Sequence, residues 1–213
     1  ICHHRGLHYP LRRQRQMCIR DRYKSADMIG YSETHGGKTE SYREGFFNDG
    51  ENRGLALQDL RDELLGDRAG VFYAGLIGDK KAEGERSSGE GLVKDGAFFV
   101  AKGAGLNSQD LLGKTILHEF GHNLGLSHYG INGRPAGVAD NQFLPNYKSS
   151  MNYLYQFREF NFSEGESRNA DSITDICRPF FCFLGDYSVP ADWESLDSVS
   201  YTHLRAHETV LDL

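Results

Sequence analysis

The stretch HEFGHNLGLSH, His118 to His128, constrains this chain more than any other. Residues four apart on an α-helix share a face, so His118 and His122 can offer imidazole nitrogens to one ion. Glu119 stands one step around, near enough to reach a water at that ion without being a ligand itself. A third imidazole further along the same helix would sit badly. The chain has to turn first, and Gly125 can take the positive φ that ends a helix and lets His128 come back. A catalytic zinc needs three protein ligands and an open position, and a glutamate beside the first of two helical histidines is the metal-hydrolase arrangement. The plainer alternative is a solvated helix face with two histidines. Gly125 and His128 together weigh against it.

Periodicity places the motif within a fold. Leu57, Leu60 and Leu64 recur at helical spacing over Leu55 to Leu65, with Gly66 as a stop. Val71 to Ile77 and Ala97 to Ala101 are apolar and β-rich, and read as buried strands. A charged, Gly-rich loop is expected between them, over Gly78 to Gly91. Asn107 to Asp110 offers an N-cap to a helix from Leu111 to Leu124, whose apolar positions recur at about every fourth residue. Beyond Gly125 no long periodic segment is convincing: Gly130 to Tyr147 reads as loop, Tyr153 to Phe162 is aromatic, and Ala170 to Ile176 suggests one or two helical turns. Strands and helices first, irregular chain afterwards, predict one α+β domain in two halves.

The 213 residues suffice for one domain with its own core. No apolar run approaches a membrane span, and the net charge of -6 argues against a broad nucleic-acid surface. The two ends do not match the rest. Residues 1–22 are rich in arginine and histidine without an amphipathic period. Met17 to Arg22 and Val199 to His203 back-translate to an inverted repeat that resembles the mosaic ends of a transposase-based sequencing library. Residues 1–22 and 199–213 are therefore expected to be adapter-derived and are set aside from fold and function. Tyr23 to Ser198 then holds four histidines, His35, His118, His122 and His128, and three of them lie in the opening motif. His35, alone in THGGK, reads as an exposed loop residue.

HEFGHNLGLSH resembles the metzincin zinc-peptidase signature at every defining position. Metzincins also carry a Met-turn, and Ser149-Ser150-Met151-Asn152-Tyr153 fits that role. The resemblance implies that Met151 forms an apolar floor under the zinc. It implies that Tyr153, as in the astacin- and serralysin-like branches, is a fifth ligand able to swing away and stabilise the transition state. Tyr129 follows the third histidine where those branches have other residues, so no named branch is assigned. The wider stretch, about Val71 to Phe157, is similar to secreted microbial metzincin-like proteases. A two-lobed domain is implied, with a twisted mixed sheet and an active-site helix above an irregular C-terminal lobe; residues 23–128 would form the first lobe and 129–198 the second. The family binds substrate along an edge strand, expected here to be Ala97, Phe98, Phe99, Val100 and Ala101.

The expected function is that of a secreted, monomeric zinc endopeptidase acting on protein or peptide substrates, with Glu119 as general base. The alternatives are a zinc-stabilised binding domain without catalysis and a truncated, inactive fragment. Cys177 and Cys182 either close a short disulfide loop, as in secreted proteins, or remain free thiols. Asn48 to Asn52 places oxygen ligands near a glycine, as calcium (Ca2+) loops do, without their full spacing; a polar turn is the simpler reading.

Overall fold

A computed structural model describes residues 54–69, 72–79, 81, 86–165, 177 and 180–196, all within one compact unit, Arg43–Leu213. The adapter-like ends, His35, the Asn48 to Asn52 turn and the 170–176 segment lie outside the described residues.

Helix α1 spans Leu55–Leu65, where the leucine spacing predicts it, and buries Leu57 and Leu60. Strands β1 (Ala74–Gly78), β2 (Gly89–Gly91) and β3 (Ala97–Ala101) follow, then helix α2 (Gln109–Asn123). β1 pairs with β3 in parallel, Ala74 opposite Ala97 and Gly78 opposite Ala101. β2 pairs with the other side of β3, antiparallel, Gly89 opposite Val100 and Gly91 opposite Phe98. The order is therefore β1-β3-β2.

Successive residues of a strand point to opposite faces, and β3 uses both. Ala97, Phe99 and Ala101 pack with Leu57 and Leu60 of α1. Phe98 and Val100 pack with Leu106 and Leu112, and Ile116 and Phe120 of α2 lie against them. A strand covered on both faces has no need of polar alternation, which is why AFFVA is apolar throughout and buried at all five positions. The turn between β2 and β3 is tied to α1: Gln58 Nε2 donates to Asp95 Oδ2 at 2.7 Å, and Arg61 pairs with the other oxygen of Asp95.

This topology corrects one expectation. Ala97, Phe98, Phe99, Val100 and Ala101 form the central strand, not the edge. Among the described residues β1 and β2 are the two edges, and β2, three residues at the end of what reads as a charged loop, is the one that lines the cleft beside the histidines. Its Gly-Glu-Gly composition hides it, because glycine carries no strand signal. The β1 strand also begins later than expected, at Ala74.

After α2 the described chain forms turns and loops joined by isolated bridges, Ser127 with Gly130, Phe143 with Cys182 and Glu164 with Ala191, and by one short helical turn at 192–196. Cys177 and Cys182 are bridged, their Cα atoms 5.8 Å apart. Among the described residues the fold is mixed, with a small three-stranded sheet, the helices α1 and α2, and the short helical segment at 192–196. No helix among the described residues is long and apolar enough to cross a membrane.

Candidate metal centre

α2 begins where Ser108 Oγ accepts from Leu111 N at 3.2 Å, with Asp110 in the first turn to complement the helix dipole. It ends in a Schellman motif: Gly125 N donates to His122 O at 2.8 Å and Leu126 N to Gly121 O at 2.9 Å. Gly125 has φ 97, which a residue with a side chain adopts only at a cost. His128 then lies in a tight turn, where Ser127 and Gly130 exchange backbone hydrogen bonds at 3.0 Å.

These two local structures bring the three imidazoles together. The ring centroids of His118 and His122 lie 4.9 Å apart, His118 and His128 5.3 Å, and His122 and His128 4.8 Å. One nitrogen from each converges, all three within 4.8 Å of one another. His118 Nδ1 is 2.7 Å from Ser150 O and His122 Nδ1 is 2.8 Å from Leu126 O. A carbonyl only accepts, so each Nδ1 carries the proton and each Nε2 is left as a ligand. Burial lowers the pKa of all three, His118 well below its usual value and His128 to about 4, with neighbouring imidazoles adding to the effect at His118 and His128. They are neutral at physiological pH, the form that binds metal. The donor set therefore fits a metal ion.

Glu119 is buried beside them. Burial is the main cause that lifts its pKa to about 8; Glu90 raises it further, while Lys81 and the Gly91 backbone N–H lower it. A cation at the three imidazoles would act in the lowering direction. Gly89 and Gly91 allow β2 to approach this closely. A Cβ at Gly89 would stand 2.5 Å from Glu119 Oε1, and one at Gly91 would collide with the Glu119 carbonyl.

The Ser149 to Tyr153 segment passes under the histidines. Met151 is fully buried, and its Sδ occupies the space where a side chain on Gly121 would go. Gly121, inside the histidine motif, is thus glycine because Met151 needs the room. The same segment supplies Ser150 O to His118. The Tyr153 ring packs 4.1 Å from that of His128 and 5.5 Å from that of His118. Tyr153 is half exposed, but desolvation by the surrounding side chains, then Glu119, pushes its hydroxyl up to about 12, so it stays protonated.

Three contributors escape a reading of the sequence. One is the β2 edge, Gly89 to Gly91, bordering with the histidines and Tyr153 a cleft of about 420 Å³; a glycine pair at alternate strand positions is the signal for such close approach. Another is the buried ion pair of Lys81 and Glu90, 2.5 Å, on the same cleft. The last is Asp192, wholly buried. Its carboxylate accepts from Tyr147 OH and Ser149 Oγ at 2.8 Å and from Ser163 N at 3.0 Å. One side chain so fastens the loop that carries Met151. Nothing local in ADWESL announces this. Comparisons with protein-family models, with curated proteins and with solved structures find no match for the chain, so its functional reading rests on this geometry.

Proposed function

We propose that the chain is a zinc endopeptidase of the metzincin kind. The observation that carries the reading is the convergence of three neutral imidazoles, two of them oriented by backbone carbonyls, with the buried Glu119 carboxyl beside them. Zinc held there supplies Lewis acidity, favouring ionisation of the attacking water and polarising the peptide carbonyl.

The chain's own residues do the rest. Glu119 takes the proton of the attacking water and returns it to the leaving amine. The Tyr153 hydroxyl, protonated and beside His128, donates to the developing oxyanion. The peptide backbone pairs with β2, whose three residues border the cleft. The Cys177–Cys182 bridge supports a secreted protein, since disulfides persist in oxidising compartments.

Glu119→Gln keeps the side chain's size and removes the base. Peptide hydrolysis should fall by about a thousandfold or more, while zinc still binds one per chain. Chelation should abolish wild-type hydrolysis. Full activity in the variant, or activity that survives chelation, refutes the mechanism; one bound zinc without hydrolysis in wild type points to a binding domain instead.

A further inference from the structure

Asn123 is a buried polar side chain that neither ligates nor enters the chemistry above. It follows His122 directly and is the last residue of α2. Its Nδ2 donates to two backbone carbonyls at once, Leu92 O at 2.9 Å and Ala97 O at 2.7 Å. Those carbonyls stand on either side of the turn that joins β2 to β3, where Leu92 N donates to Ala97 O at 3.2 Å. The amide's orientation follows from its partners, because a flipped amide would press its oxygen against two carbonyl oxygens.

Further contacts strap the same hairpin to the same helix end. Lys94 N donates to His122 O at 3.0 Å, and Lys94 takes φ 58, the one positive φ among the described non-glycine residues. At Gly91 a Cβ would stand 2.8 Å from His122 Cβ. β2 thus lies directly on the helical turn that carries Glu119 and His122.

Asn123 Oδ1 is buried without a hydrogen-bond partner. An unsatisfied buried acceptor works against stability, so stability alone is a poor reason for an amide here. What the amide offers is two donors on one nitrogen, and both go to the hairpin that carries the cleft's edge strand.

We infer that Asn123 is a positioning residue that sets the spacing between the β2 edge and the metal ligands, and so how tightly the cleft holds a bound peptide, in the ground state and the transition state alike. The inference rests on the endopeptidase reading. A peptide paired with β2 is held by that strand's backbone, so a loosened hairpin weakens its binding without touching the groups that react. Leu92 O also accepts from Asp95 N at 3.1 Å, and Ala97 O from Leu92 N at 3.2 Å. Losing Asn123 therefore loosens the hairpin without stripping its carbonyls.

The test compares zinc-loaded wild type, Asn123→Leu and Asn123→Ser on a fluorogenic peptide. In Asn123→Leu, KM should rise by about tenfold with kcat within about twofold and zinc affinity unchanged. Loss of folded protein alone would lower apparent kcat and leave KM in place. Amide exchange over residues 88–97 should quicken by about tenfold while residues 109–121 keep their protection. Unchanged KM, or unchanged exchange in the hairpin, overturns the inference. Asn123→Ser, smaller and with one donor, decides the matter where the leucine variant does not fold: wild-type KM and wild-type exchange in it count against the proposal. A wild type that cleaves no peptide refutes the endopeptidase reading and with it the substrate role, whereas the exchange comparison still judges the strap.

Discussion

The residues before Gly125 and those after it are organised differently. Before it, α1, the sheet and α2 share an apolar core in which Leu57, Leu60, Phe99 and Val100 are almost wholly buried. After it, regular structure nearly stops among the described residues, and beside buried apolar side chains such as Leu126, Leu144, Met151 and Phe162 lies a buried hydrogen-bonded group of Tyr147, Ser149, Asn152 and Asp192. Asn152 Nδ2 donates to Leu144 O and Tyr147 O at 2.8 and 2.9 Å, and Asp192 collects three donors. An apolar core needs shape and volume and tolerates exchange of one hydrocarbon for another. A hydrogen-bonded hub depends on single atoms, and loses its partners together when one is removed. The histidines straddle this boundary. α2 presents two of them, and the irregular half supplies His128, the floor under the site and the carbonyl that orients His118.

The sharpest way to test the contrast is to injure each half separately. Leu60→Ala should cost about 3 kcal/mol of unfolding free energy in urea, by lost burial and a cavity between α1 and β3. The folded fraction should still bind one zinc. If zinc affinity fell along with stability, the two halves would not be separable in this way.

Asp192→Asn should cost less, about 2 kcal/mol near neutral pH, yet weaken zinc by about tenfold, because it frees the loop that orients His118. It also carries a pH signature. Burial is the main cause that lifts Asp192 to about 6 from 3.8. The folded carboxyl binds its proton at higher pH than the unfolded one. Its contribution to stability is therefore fullest below about pH 4 and is lost as pH rises through about 6. Wild-type stability measured relative to Asp192→Asn should decline across that interval; a difference that grows with pH would contradict the assignment.

Tyr153→Phe is the mildest of the three. The ring stays against His128 and only the hydroxyl goes. kcat should fall by about tenfold with KM within about twofold, and urea unfolding should move by less than about 0.5 kcal/mol. Unchanged kcat would remove Tyr153 from the chemistry and leave it as packing.

How much was legible follows the same division. Leu55–Leu65 declares itself a helix because its leucines repeat at the helical period, and burial against β3 rewards that period. The histidine motif is legible because ligation and the helix both act over a few residues. β2 was not, since two of its three residues are glycine and its reason for existing is the approach of Glu119. Ala97 to Ala101 reads correctly as a buried strand and wrongly as an edge, because burial on both faces does not say how many neighbours a strand has. Asp192 and Asn123 were silent for another reason. Their partners lie far off in the chain, and no local pattern encodes a hydrogen bond across 43 residues, as between Ser149 and Asp192.

By itself, then, the sequence determined the three-histidine cluster, the helix that displays two of its members, the turn at Gly125 and the apolar strand behind them. Each depends on interactions that repeat within a few residues. The tertiary structure alone decided which strand borders the cleft, which carbonyl orients His118, why Gly121 must yield its space to Met151 and which carboxylate fastens that loop. Each of those requires two distant segments to meet, and side-chain volume and hydrogen-bond geometry select the partner only once they have met.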